Sequence, residues 1–101
     1  MYGNVIAMIG FSITINPAAV ATITTAEQSF TVPGLRVNDW VYLSKPTNTA
    51  GVGVVNCRVS AADTLAVTFV NPTAASVDAA SETYQGLMVR FDALRVGNAA
   101  A

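Results

Sequence analysis

The sequence predicts an all-β chain: a small antiparallel β-sandwich or barrel of about seven strands, with an extended N-terminal arm. Three observations carry that expectation. Apolar residues recur with a period near two, and helical periodicity is hard to find. The alternating runs are rich in Val, Ile, Thr and Phe, which suit a pleated, half-buried surface. Turn signals made of Pro, Gly, Asn and Asp separate the runs at about 8–12 residue spacing. The 101 residues fit one domain. Residues 1–15 read as an extended arm or strand, 16–95 as the sandwich, and 96–101 as a flexible tail.

Residues 5–15 give the first extended segment, and Asn16-Pro17 ends it because Pro has no N–H and restricts the residue before it. Val20 to Thr25 and Gln28 to Val32 read as the second and third strands, with Pro33-Gly34 a turn. The fourth, DWVYLS over Asp39 to Ser44, puts Trp40 and Tyr42 on one face and Val41 and Leu43 on the other. With both faces apolar, it reads as a central strand or as one with a face against a partner. Val52 to Ser60 is the fifth. Its apolar register slips between Val54 and Val55, near Gly53, which predicts a β-bulge. Ala61-Ala62-Asp63 reads as a hairpin connection with Asp63 the turn former. In the sixth strand, Leu65, Val67 and Phe69 share one face and Thr64, Ala66 and Thr68 the other. The last, Glu82 to Phe91, puts Leu87, Val89 and Phe91 on one face and Tyr84, Met88 and Arg90 on the other. An α+β alternative has one short helix near 17–27 or 72–80. The Ala content permits it, while Thr and Val argue against the first of these.

Composition narrows the functional classes. Charged residues make up only 11%, against about 25% in an average soluble domain, and apolar residues reach 52%. A domain this small buries only about 65% of the surface of its unfolded chain. The apolar excess therefore points to contacts with other chains. The five basic residues are scattered, so there is no footprint for nucleic acid or for an anionic membrane. The apolar run Val5 to Phe11 is too short to span a bilayer, which takes about 20 residues, and no Lys or Arg precedes it as in a signal peptide.

The chemistry of catalysis is thinly represented. There is no His, which removes the usual nucleophile–base pairings, His-based zinc sites and the commonest general base. Cys57 is alone, so it forms no intrachain disulfide; it reads as a small buried hydrophobe on the face of Val55 and Val59. The six acids sit at turns and strand ends, where they have ordinary roles. Asp78 and Glu82 alone lack the oxygen density a hard cation needs. The expectation is a non-enzyme with no catalytic, cofactor or metal site.

Several strings resemble a segment of small virion proteins of tailed bacteriophages. They are Val32-Pro33-Gly34-Leu35-Arg36-Val37-Asn38-Asp39, Lys45-Pro46, Ala50-Gly51-Val52-Gly53-Val54-Val55, the run from Arg58-Val59-Ser60-Ala61-Ala62-Asp63-Thr64-Leu65 to Asn71, and Glu82-Thr83-Tyr84. The resemblance covers about residues 27–91. It implies a capsid decoration or cement protein that binds the outside of a phage head and stabilises capsomer contacts. Its partners would be itself, as a homo-oligomer and in particular a trimer, and the major capsid protein. A head-fibre or tail-associated subunit is an alternative within the same class. The interface candidates are Tyr2, Val5, Ile9 and Phe11 in the arm, with Val5, Ile9 and Phe11 on one face, together with Trp40 and Tyr42. A reading of a different class is a glycan- or host-surface-binding module that stacks sugars on Trp40 and Tyr42.

Overall fold

The alternating runs condense into six antiparallel strands in two three-stranded sheets, as the computed structural model describes them for residues 4–92. Tyr2 and the tail 96–101 lie outside the described residues. The strands are β1 (Val5–Ile15), β2 (Thr24–Thr31), β3 (Trp40–Ser44), β4 (Gly53–Ala61), β5 (Thr64–Asn71) and β6 (Glu82–Phe91). One sheet has the order β1-β6-β3 and the other β2-β5-β4. The described residues contain no helix, so 17–22 and 72–81 are loops and not the helices of the α+β alternative.

The core lies between the sheets. Leu65, Val67 and Phe69 of β5 are fully buried, as their alternation predicts, and they cluster with Ile15, Leu43, Tyr84 and Met88 of the facing sheet. Burying an aliphatic or aromatic side chain of this kind contributes roughly 1.5–3 kcal/mol. The β4–β5 hairpin turns at Ala62 and Asp63. Asp63 takes a left-handed φ of 60°, which Asp tolerates better than most residues. Its carboxylate also accepts the Gly34 N–H at 2.7 Å, tying the hairpin to the β2–β3 loop. The bulge near Gly53 is present as a register shift between Val54 and Asn56.

Four expectations need correction. Among the described residues there are six strands where about seven were expected, because the segment at 20–25 gives only its last two residues to the strand that takes in 28–31, β2. A turn at Thr22 and Ile23 precedes it, and Ile23 has φ 49° and is 75% exposed. Val20 instead pairs with Val77 through two backbone hydrogen bonds of 2.8 and 3.1 Å. The buried Asn71 pins this bridge: its amide donates to the Val20 and Ala75 carbonyls at 2.9 and 2.8 Å, and its carbonyl oxygen accepts the Thr73 N–H at 2.9 Å. Second, β3 is an edge strand and not a central one. Third, Val5, Ile9 and Phe11 do not share a face. A bulge between Val5 and Ala7 shifts the register, so Val5 lies opposite Phe91 while Ile9 and Phe11 lie opposite Met88 and Gly86. Fourth, Val55 does not share the face of Cys57 and Val59, because it is the extra residue of the β4 bulge and is exposed.

Candidate interaction surface

The two sheets present very different outer faces. Pairing puts Glu27 and Ser29 of β2, Thr64 and Thr68 of β5, and Arg58 of β4 on the outside of the β2-β5-β4 sheet. Arg58 reaches across β5 to donate two hydrogen bonds to Glu27, of 2.7 and 2.9 Å. The Arg58 guanidinium holds the Glu27 carboxyl below the usual carboxylate range. This face is a solvated one.

The outer face of the β1-β6-β3 sheet carries no charged residue. In register on it are Met8 of β1, Leu87 and Val89 of β6, and Trp40 and Tyr42 of β3. Trp40 and Tyr42 are 67% and 70% exposed and Met8 is 64% exposed. Trp40 meets Phe91 edge-to-face, with ring centroids 4.9 Å apart at 70°, and Val5 lies opposite Phe91 at the same end. The other half of the face is polar but uncharged, with Ser12, Thr14, Thr83, Gln85 and Ser44. Thus the chemistry changes from apolar to hydroxyl-rich along the strands.

The strand that carries the aromatic pair is fastened at both ends by β6. At one end Arg90 donates to both carboxylate oxygens of Asp39, at 2.9 and 2.7 Å, and Asp39 also accepts the Arg36 N–H at 2.9 Å. The Arg90 hydrogen bonds hold the Asp39 carboxyl below its ordinary range, against the opposing effect of burial. At the other end Lys45 pairs with Glu82, and the Thr47 hydroxyl donates to the same carboxylate at 2.7 Å. Both contacts pull Glu82 below its ordinary range, Lys45 the more strongly. Charges at the two ends of β6 therefore match charges flanking β3, and the exposed rings ride on a fixed platform.

Of the residues singled out from sequence, Val5, Trp40 and Tyr42 come together on this face. Ile9 and Phe11 point to the inner side of the sheet. Phe11 lies flat over Gly86, where a Cβ would meet its ring at 2.4–2.7 Å. Met8, Leu87, Val89 and Phe91 join the face without having been singled out as contacts. Alternation placed the last three on a common side, but the opposite side also carries large apolar residues, Tyr84 and Met88, so nothing marked which one faces out.

Four of the six acids have structural partners: Glu27 with Arg58, Asp39 with Arg90, Glu82 with Lys45, and Asp63 with the Gly34 N–H. Among the described residues no group of three or more His, Cys, Asp or Glu is placed to hold a metal ion. Cys57 is half-buried, and desolvation pushes its thiol up, away from a reactive thiolate. No family model, curated protein or solved structure matches this chain.

Proposed function

We propose that this chain is a structural virion protein, a capsid decoration or cement protein that docks on the outside of a tailed-phage head through the outer face of the β1-β6-β3 sheet. The observation that carries the reading is the one-sided chemistry of the sandwich: an uncharged face with Trp40 and Tyr42 exposed, against a polar face with an ion pair. The strings from Val32 to Asn71 that resemble phage virion proteins supply the identity of the surface it covers. Aromatic anchors on a rigid strand contribute contact area at little cost in conformational entropy. The two rings alone offer roughly 200–350 Å², so a useful affinity for a shell comes from many copies engaging a repeating lattice. The partner is the major capsid protein, and the site of action is the outer capsid surface. Co-sedimentation with phage heads lacking the protein tests this. Saturable binding that raises the temperature of head disruption is the expected result, and no binding contradicts it.

A second reading has its own observation. Tyr42 borders a shallow, open depression lined also by Lys45, Pro46, Thr47, Val52 and Val54. An exposed ring beside an open depression with a partly polar lining suits a carbohydrate of a host surface. Quenching or shift of Trp40 fluorescence by cell-surface polysaccharides would favour it over the capsid reading.

A further inference from the structure

A sheet edge is a row of unpaired N–H and C=O groups, and proteins ordinarily defend it with charge, proline, bulges or a covering segment. Three of the four edges here are defended. β3 is only five residues long and ends in Asp39 on one side and Lys45-Pro46 on the other. β4 carries Arg58 and two bulges. β2 carries Glu27 and is strapped by the loop at Ala18, whose N–H and C=O both bond the Gln28 side chain, at 2.8 and 3.0 Å.

Among the described residues the fourth edge, β1, has none of these along most of its length. It is the longest strand, at 11 residues, and it contains no charged residue and no proline. The first charge in the chain is Glu27. Its single bulge is at the N-terminal end, and pairing with β6 runs without interruption from Ala7 to Ile15. Both faces of its first half are apolar and open: Ile6 and Met8 are 59% and 64% exposed, and Ile9, on the inner side, 54%.

We infer that β1 is a self-association edge, along which two copies of this chain pair β1 to β1 in antiparallel fashion to form one six-stranded sheet. A second copy is the occupant that the strand's own chemistry favours. An antiparallel pair of identical strands is self-complementary and closes after two copies. With no charge on either strand, no like charges are brought together. The pairing would cover Ile6, Met8 and Ile9 with their counterparts. It replaces the trimer implied by the sequence resemblance with a dimer. A strand pair is a small contact beside the roughly 800 Å² per partner of a standard stable complex, so association is weak and concentration-dependent. The two-fold axis stands perpendicular to the joined sheet, so both Trp40–Tyr42 faces point the same way. The dimer itself does not depend on the capsid reading; its use for two-point docking does.

Light scattering of the full chain at two concentrations, with amide hydrogen exchange through β1, tests the inference. The mass should rise toward twice the chain mass of 10.5 kDa with concentration. Consecutive β1 amides should then be protected, whereas in a lone edge strand every second amide faces water. A constant monomer mass, a trimer mass, or a dimer with alternate β1 amides exchanging freely would overturn it. The double variant Ile6→Lys/Met8→Lys, at exposed positions, should keep the fold and weaken association by about tenfold or more; unchanged association would overturn the assignment to β1. Trp40→Ser/Tyr42→Ser should leave the dimer intact while abolishing head binding, so that the two readings can fail separately.

Discussion

Arg90 donates from Nε and Nη2 to the two carboxylate oxygens of Asp39, directly beneath the sheet face that carries Trp40. Residues 39 and 40 point to opposite sides of the sheet, so the pair that fixes the start of β3 also fixes the position of the ring. Asp39→Ala would leave the Arg36 N–H without its carboxylate acceptor and the Arg90 guanidinium with the Gly34 carbonyl alone. The expected cost is about 2 kcal/mol or more in chemical denaturation, with a changed Trp40 emission in the folded state. Asp39→Asn, which keeps one oxygen acceptor, should cost less than Asp39→Ala.

Phe11 and Gly86 form a second specific pair. The ring occupies the space that a side chain at 86 would take. Gly86→Ala should displace the ring and destabilise the protein by about 1–3 kcal/mol. In a Phe11→Ala background the same substitution should cost little. Additive effects in that double-mutant cycle would show that the two residues are not coupled.

Tyr84 is fully buried, and its hydroxyl finds no hydrogen-bond partner among the described residues. Burial, with Glu82 nearby, pushes its phenol up from the ordinary value. Tyr84→Phe removes a polar atom that gains nothing from the fold, so stability should be unchanged or higher by up to about 1–2 kcal/mol. A clear loss of stability would mean that the hydroxyl has a stabilising partner.

The pH profile follows from the three carboxylates whose ranges are lowered in the fold, Glu27, Asp39 and Glu82. A carboxyl whose folded pKa lies below its unfolded value stabilises the protein above the unfolded value, about 4, and that contribution is lost as pH falls through the folded value. With no His in the chain, the side chains add little slope between about pH 5 and 8. Denaturation midpoints should therefore be flat across that window and drop below about pH 4. A steep change near pH 6.5 would contradict this assignment.

In β4 and β5 the sequence pattern had one answer for the core face and the bulge, and the structure follows it. Leu65, Val67 and Phe69 alternate with Thr and Ala, so their inward face was legible, and so was the bulge near Gly53, because the apolar register breaks there. Where two answers were equally apolar, pattern alone could not choose. Both faces of β3 are hydrophobic, which made an edge strand look central. In β6 each side mixes apolar and polar residues, Tyr84 and Met88 with Glu82 and Arg90 against Leu87, Val89 and Phe91 with Thr83 and Gln85, which left the outward side undetermined. The turn at Thr22–Ile23 carries no Gly, Pro or Asn signal; it is held by tertiary contacts to the 72–80 loop through Asn71 and Thr22. Val5 was placed with Ile9 by counting in twos, and the bulge before Ala7 breaks the count.

Trp40 is the only tryptophan, which makes it a direct reporter of the proposed docking face. Labelling it biosynthetically as hydroxytryptophan allows it to be excited alone in the presence of phage heads. The measurement is its accessibility to a neutral quencher, free and head-bound. The account predicts a blue-shifted emission and strong protection on binding. Binding that leaves Trp40 as accessible as in the free protein would contradict the claim that the outer face of the β1-β6-β3 sheet is the contact surface.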